Sequence, residues 1–241
     1  MYWSVIDSSG MAKIVSARRA FLHRPRFSVR ISRLAWKGRR VRPAGRAGAP
    51  SPYDGRMAEA LVVDWDPAWP ERAAEEAAAV GEVLGATKVE HIGSTSIAGL
   101  SAKPVLDLLA GLRPLEVGAA SIAAMEALGY EYLGEHGLPG RLFFRKGPEQ
   151  RTHHVHAVEL GGTEWRRHLA FRDYLRAHPE EAARYGEAKR ALARAVEGDW
   201  EAYTDRKAGI ASDIQTRALA WAAATNWRGP GTESAQPGTD A

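Results

Sequence analysis

The sequence contains no cysteine among its 241 residues. Disulfide bonds, thiolate zinc sites and a cysteine nucleophile are therefore excluded, and the composition fits a reducing compartment. No apolar run approaches the roughly 18–20 residues that a membrane-spanning helix needs. Because 45% of the residues are hydrophobic, the chain has enough apolar surface to bury a core. We therefore expect a soluble, globular protein with no membrane partner.

Acidic residues are nearly absent from the first 56 positions, where 13 Lys and Arg residues accompany only Asp7 and Asp54, for a net charge of +11. The remaining residues include 20 basic and 27 acidic side chains, for a net charge of −7. The sequence pI of about 9.4 therefore reflects the N-terminal segment alone. We do not expect the rest of the chain to bind nucleic acid through its charge.

Residues 1–56 also lack a sustained period of 2 or 3.6 and end in a stretch rich in Pro, Gly and Ala. An arginine-rich targeting peptide, a basic arm for nucleic acid and an unfolded extension are all compatible with this composition. We favour the extension, with Met57 as an alternative start. The sequence thus predicts an extension over 1–56, a folded domain over 57–224 and a disordered tail over 225–241.

Between residues 57 and 224 the hydrophobic pattern changes repeatedly between the periods of strands and helices. Asp66 and Pro67 predict a helix start, and Gly129 predicts a helix end. The predicted strands are 60–65, 87–92, 104–112, 130–133, 141–146 and 152–159. The predicted helices run from 67 to 84, from 114 to 128, from 163, from 179, and from 200 to 221. This order predicts an α/β (α+β) fold, a mixed sheet with flanking helices and a helical C-terminal part.

A turn of small residues separates two predicted strands, and the second strand carries one carboxylate, Asp107. The turn consists of Gly93, Ser94, Thr95 and Ser96. Glycine and short hydroxyl side chains allow backbone N–H groups to approach a phosphate, and a neighbouring carboxylate can hold the Mg²⁺ that a nucleotide carries. A carboxylate inside an apolar strand is costly unless a metal or a cation pairs with it. The alternatives are an ordinary turn and a simple ion pair between Asp107 and Lys103.

This turn, followed about a dozen residues later by Asp107, resembles the nucleotide-binding motif of the nucleotidyltransferase superfamily. The longer string, with Lys103-Pro104 before the strand, resembles the GrpB family within that superfamily, and the resemblance extends over about residues 60–224. It implies a nucleotidyltransferase-like fold, an NTP ligand with Mg²⁺, and a cytoplasmic bacterial protein. Residues 93–96 and Lys103 would then contact the phosphates, and Asp107 would bind the metal.

The superfamily motif has a second acid two residues after the first, and this chain has Leu109 there. Two-metal catalysis in its usual form would therefore need another acid, for which Glu159 is our candidate. The chain also lacks the Gly-x-x-x-x-Gly-Lys-[Ser/Thr] string of a P-loop, so we expect no kinase activity of its own.

Three histidines, His153, His154 and His156, fall within four residues of one predicted strand. Strand alternation places His154 and His156 on one face, and His153 and Glu159 on the other. We predict that His154 and His156 face the Gly-Ser turn, where they bind phosphate, transfer a proton or ligate a metal. Ordinary imidazoles at a solvated strand are the alternative. A zinc site is not favoured, because no third ligand has suitable spacing.

Arg141 follows a Gly-Leu-Pro-Gly string that matches the GrpB family, and its guanidinium suits bidentate contact with phosphate. Arg145 lies on the same predicted face, and Arg166, Arg172 and Lys207 in the helical part are further candidates for contact with a nucleotide. Solvated surface charge is the alternative for each of them.

Two hypotheses of different class remain open. In the first, the protein transfers a nucleotidyl group from an NTP to an unknown acceptor, with Asp107, His154 and His156 as catalytic residues. In the second, it is a non-catalytic module that senses a nucleotide or binds a partner. Leu109 favours the second hypothesis, whereas Arg141 and the retention of Asp107 beside the histidines favour the first.

Overall fold

A computed structural model describes residues 5–6, 12–13, 62–147, 150–196 and 200–231. The chain divides into two units, an N-terminal one of residues 4–57 and a second that includes residues 58–241. The N-terminal unit contains a two-stranded antiparallel sheet of β1 (Val5–Ile6) and β2 (Ala12–Lys13). The predicted disorder of the remaining residues up to 56 lies outside the described residues, and the three-segment division stays a prediction.

The second unit is built on a five-stranded mixed sheet. Its strands are β3 (Lys88–Ile92), β4 (Leu106–Leu112), β5 (Tyr130–Tyr132), β6 (Arg141–Lys146) and β7 (His153–Glu159), in the spatial order β3-β4-β7-β6-β5. The central pair, β4 and β7, is parallel, and the other pairs are antiparallel. The predicted α+β fold with a mixed sheet is therefore confirmed.

The described part of this unit has five helices: α1 (Trp69–Leu84), α2 (Ala119–Ala127), α3 (Thr163–Ala177), α4 (Pro179–Ala195) and α5 (Trp200–Ala224). The first three pack on the sheet, and α4 and α5 pack on α3. Leu108, Ala110 and Val155 point to one face of the sheet, where they pack with Trp69 of α1 and Met125 of α2 in the main core. The other face, which we call the site face, carries Asp107 and lies under α3. The described part of the chain contains no helix with the length and apolar character needed to cross a bilayer.

Some predicted boundaries are wrong for local reasons. In place of a strand over 60–65, the described residues there form one bridge, between Val63 and Ala102. The first helix begins at Trp69 rather than at Pro67, because Asp66 Oδ1 accepts the Ala68 N–H at 2.9 Å and holds a turn there. The helix predicted from 114 begins at Ala119.

Residues that follow α5 contact the site face and α3. Trp227 packs beside the cluster that contains Trp165. Trp165 Nε1 donates a hydrogen bond of 2.7 Å to the Pro230 carbonyl. The final helical segment is therefore followed by a stretch anchored to α3, and residues 232–241 lie outside the described part.

Candidate functional site

A cavity of about 220 Å³ lies between the site face and the C-terminal helices. Asp107 is the one acid among the described residues that line it. The cationic lining residues are Lys103, Arg141, Arg145, Arg151, Lys189 and Lys207. Phe143, Phe171, Tyr185 and Tyr203 add aromatic surface, and His136, His154, His156 and His168 also line the cavity. Cationic groups thus greatly outnumber acidic ones, which is the charge balance of a site for an anion.

Gly93 and Asp107 approach each other closely at the end of β3. The φ angle of Gly93 is +71° with ψ near −173°, a backbone region that only glycine adopts readily. A Cβ atom on Gly93 would overlap Asp107 Oδ2 and would lie 3.1 Å from Asp107 Cβ. Position 93 therefore needs glycine both for its backbone conformation and for its contact with the carboxylate.

Asp107 is held by the two histidines that alternation predicted to share a face. Register pairs Asp107 with His154 and Leu109 with His156 across β4 and β7. Asp107 Oδ1 lies 3.0 Å from His154 Nδ1 and 3.8 Å from His156 Nε2, the second distance being too long for a direct hydrogen bond. Burial alone would raise the pKa of Asp107, but the His154 hydrogen bond and the adjacent His156 ring hold it well below its usual value.

The ionisation of Asp107 determines the tautomer of His154. An ionised carboxylate only accepts hydrogen bonds, so Nδ1 of His154 carries the hydrogen and donates it. His156 is 2% exposed, and burial lowers its pKa to about 4, so its imidazole is neutral at neutral pH. Its Nδ1 atom has no hydrogen-bond partner among the described residues.

The four residues of the Gly-Ser turn do not share one role. Gly93 and Ser94 line the cavity. The Thr95 hydroxyl instead lies 2.9 Å from His91 Nε2 and 3.4 Å from the Val105 carbonyl. The Ser96 hydroxyl donates to the Gly93 carbonyl at 2.7 Å. The side chains of Thr95 and Ser96 therefore shape the turn, and the structure does not bring them to the cavity.

Lys189 of α4 reaches the same turn, a contact that no pattern in the sequence indicates. Its Nζ atom donates to Ser94 Oγ at 2.8 Å and lies 4.4 Å from the Tyr185 ring centroid. Gly186, one helical turn earlier, allows α4 to approach closely, because a Cβ there would lie 3.3 Å from Leu100 Cδ1. Lys189 is 1% exposed, and burial lowers its pKa well below the usual value. No described carboxylate lies within ion-pair distance of it.

The other predicted cations have distinct environments. Lys103 lines the cavity, and burial lowers its pKa to about 7 although Asp107 opposes the shift. Arg141 is 2% exposed and donates through Nη2 to the Glu135 and His136 carbonyls. Its Nε atom has no partner in the described part of the chain. Arg145 lines the cavity but pairs with Glu131 at 2.6 Å.

Of the helical candidates, Lys207 alone lines the cavity. Arg172 is buried and forms ion pairs with Glu90 and Asp173, both at 2.7 Å. Arg166 is exposed on α3 and is not among the lining residues. The centre of the His168 ring, which the sequence did not single out, lies 5.2 Å from that of the His156 ring, and the two rings are tilted by 46°.

The structure does not bring Glu159, the predicted substitute metal ligand, close to Asp107. It pairs with Leu112 at the far end of the ladder, whereas Asp107 pairs with His154 near the beginning of β7. Five residues of strand separate His154 from Glu159, or about 17 Å. Glu159 is exposed, and strand alternation points it to the opposite face.

The position of the missing second acid is fully covered. Leu109 is 0% exposed and packs with Trp165 and Leu169 of α3. The neighbouring Gly111 leaves room for this helix, because a Cβ there would lie 2.8 Å from Trp165 Cζ3. A carboxylate at position 109 would therefore be buried under an indole ring rather than exposed to a ligand.

These residues do not fit a protein cage for magnesium. Mg²⁺ requires oxygen ligands in octahedral geometry, commonly from one or two carboxylates. Asp107 directs Oδ1 to His154, and its Oδ2 packs against Gly93. Throughout the described residues, no group of three or more His, Cys, Asp or Glu side chains is arranged to hold a metal ion. The predicted metal site at Asp107 and Glu159 is therefore not assembled from protein ligands.

Comparison with known proteins gives consistent matches over the second unit. The family model described as GrpB protein matches residues 59–217. A UPF0157 protein of Pseudomonas aeruginosa is 42% identical over 165 residues, covering 66% of this chain and 67% of that protein. The crystal structure of conserved protein GrpB from Enterococcus faecalis matches with a TM-score of 0.62 and 42% identity, covering 67% of this chain and 98% of that chain. A dephospho-CoA kinase of Mycobacterium leprae is 29% identical over 201 residues, covering 71% of this chain and 49% of that protein.

Proposed function

The chain belongs to the GrpB family, and on that premise we propose that it binds a phosphorylated nucleotide in the cavity of the site face. The observation that carries this proposal is the contact between Lys189 and Ser94. Lys189 is a buried amine that contacts a turn hydroxyl and no described carboxylate. Its charged form therefore costs free energy in the free protein, and a bound anion would offset that cost. Phosphate oxygens supply that anion.

The remaining lining residues suggest how such a ligand would lie. The phosphates would contact the backbone N–H groups of Gly93 and Ser94 and the side-chain amine of Lys189, with Lys103 close by. The aromatic rings of Phe171 and Tyr203 line the same cavity and offer surface for a base. The dephospho-CoA kinase relative supports a nucleotide rather than phosphate alone, because its name gives it a nucleotide-containing substrate. Its kinase activity is not transferred, since this sequence has no P-loop.

Nucleotidyl transfer is the second candidate function, and the Asp107–His154 pair favours it. An acid that fixes Nδ1–H of an imidazole leaves Nε2 as a base. In this reaction an acceptor hydroxyl would attack the α-phosphorus and pyrophosphate would leave. The hydroxyl proton would pass to His154 Nε2. The acceptor is unassigned, and the participation of Mg²⁺ stays a prediction.

Thermal denaturation in the presence of nucleotides tests the binding proposal. ATP, GTP, CTP, UTP and coenzyme A would each be added to the full chain, with and without Mg²⁺. We expect at least one to raise the melting temperature, since a ligand at 100 times its Kd adds about 2.7 kcal/mol of stability. The Ser94→Ala variant should lose most of that gain. Equal melting temperatures with and without every ligand at millimolar concentration would refute the proposal.

Release of pyrophosphate separates the two candidate functions. A binding protein that shifts its melting temperature with an NTP but releases no pyrophosphate, with or without acceptor extracts, supports the non-catalytic function. Release that is abolished by His154→Gln, while binding is retained, supports transfer.

A further inference from the structure

We propose that the cavity binds its phosphorylated ligand without a divalent cation, and that Lys189 supplies the positive charge that a bound metal would otherwise provide. This inference rests on the proposed function, because it concerns how the same site neutralises the phosphates. It goes further by naming a charge-bearing residue and an ionic form of the ligand.

The acidic side of the site argues against a metal bridge. A divalent ion between protein and phosphate needs a carboxylate oxygen that faces the ligand. Asp107 Oδ1 accepts a hydrogen bond from His154, and Asp107 Oδ2 packs against Gly93. Leu109 takes the second position, under Trp165. The first carboxylate that a metal bridge requires is thus hydrogen-bonded to a histidine, and the second is replaced by a leucine.

The cationic side of the site supplies the replacement. Lys189 is 1% exposed, and its Nζ atom contacts Ser94 Oγ in the turn whose amides would receive the phosphates. An ammonium here is a compact point charge, like a metal ion, and it has three donors to share between Ser94 and a ligand. Lys189 thus lies beside the turn that would bind the phosphates.

The surroundings of Lys189 determine how it responds to the ligand. The groups near it are Ser94 from the turn, Lys207 from α5, and Tyr185 and Arg190 from α4. Arg190 is itself paired with Asp64. Burial and the two neighbouring cations disfavour the ammonium in the free protein. A phosphate brings the missing negative charge, so ligand binding should raise the pKa of Lys189 and take up a proton.

The direction of proton transfer distinguishes this site from a metal site. A metal held by carboxylate and phosphate oxygens takes up no proton at pH 8, because those ligands are already deprotonated there. Binding to a lysine whose pKa has been lowered by burial takes protons up. Isothermal titration of ATP at pH 8, where ATP is fully ionised, measures this difference when the heat is compared in HEPES and in Tris. The titration is done once in EDTA and once in excess Mg²⁺.

We expect ATP to bind in EDTA with an affinity no more than threefold weaker than in Mg²⁺, and with uptake of between a half and one proton. Lys189→Met should weaken binding in EDTA at least tenfold. Lys189→Gln, which keeps a polar group, should weaken it similarly. Arg194→Gln is the matched control, because it removes one positive charge from an exposed position of the same helix, outside the cavity. Its affinity should stay within twofold of the parent, and circular dichroism verifies that each variant is folded.

Each other outcome decides against the inference. Binding that disappears in EDTA and returns with Mg²⁺, without proton uptake, would overturn the inference and leave the proposed function intact. Undiminished binding by both folded Lys189 variants in EDTA would also overturn it. No binding of ATP or of any other nucleotide in either condition would overturn the proposed function, and the inference with it.

Discussion

Asp107 Oδ1 lies 3.0 Å from His154 Nδ1, and the two residues are direct register partners across the parallel strands β4 and β7. The carboxylate, which also lines the cavity, is thereby hydrogen-bonded to an imidazole of the neighbouring strand. An acid in this position orients and polarises the ring beside it. The negative charge that the sequence suggested for a metal is, in the structure, used to fix a histidine.

This relationship predicts the behaviour of the Asp107→Asn variant. The substitution keeps the shape but removes the charge, so His154 loses a charged acceptor, and the free energy of unfolding should fall by about 1–2 kcal/mol. The affinity for ATP in EDTA should stay the same or rise severalfold, because a negative charge near the phosphates is gone. Titration calorimetry of the folded variant measures this. A tenfold or greater loss of affinity would restore Asp107 as a metal or ligand contact.

The Gly93→Ala variant tests the close approach between the turn and Asp107. Alanine would have to adopt a positive φ and would overlap the carboxylate, so we expect a loss of about 3 kcal/mol or more in chemical denaturation. Gly99→Ala is the matched control, since Gly99 has a φ of +75° with open space around its missing Cβ. It should cost only about 1–2 kcal/mol. Equal losses would show that the contact with Asp107 is unimportant.

Buried histidines predict a loss of stability in acid. Burial lowers the pKa of His91 and of His156 to about 4, and that of His168 well below its usual value. The folded state favours their neutral forms, so this stability is complete above pH 6.5 and declines as the pH falls towards 4. His156 alone accounts for about 3 kcal/mol over that range. In urea denaturation at several pH values, His156→Gln should reduce the pH slope by about one proton. An unchanged slope would mean that His156 titrates normally.

Introducing the missing acid should damage the fold rather than create a metal site. Leu109→Asp buries a charge under Trp165, and we expect a loss of about 4 kcal/mol or more. Leu109→Ala, the control for lost volume, should cost about 2–4 kcal/mol. The difference between the two variants should shrink as the pH falls and the new carboxyl becomes protonated. Recovery of the Leu109→Asp variant by 10 mM Mg²⁺ would contradict the structural account.

Lys189→Met should separate stability from binding. Replacing a buried amine with an apolar side chain of similar length is neutral or stabilising, so we expect a gain of about 1 kcal/mol in the ligand-free protein. For a chain of this size, the melting temperature would rise by about 2–4 °C. The same variant should gain at least about 1.4 kcal/mol less from ATP than the parent, because its affinity is expected to fall tenfold or more. A lower melting temperature of the ligand-free variant would indicate that Lys189 stabilises the fold instead of the ligand.

Strand patterns made the sheet and half of the site predictable. Alternation correctly placed His154 and His156 on one face. The spacing between the Gly-Ser turn and Asp107 correctly predicted that the turn and the carboxylate are close together. Alternation also places Glu159 on the opposite face, and the register additionally removes it to the far end of the strand. The coverage of Leu109 and the arrival of Lys189 depend on how α3 and α4 pack on the sheet. A helix pattern reports which face is apolar, but it does not report which distant turn that face will meet.

The hydrogen bond between Ser94 and Lys189 joins residues 95 positions apart. The site therefore exists only after the C-terminal helices have docked on the sheet, and a chain stopped before α4 would carry the motif without the pocket. A ligand that contacts both Ser94 and Lys189 would raise the free energy needed to separate the C-terminal helices locally from the sheet. Ligand binding and the docking of the C-terminal helices would then depend on the same contact between Ser94 and Lys189.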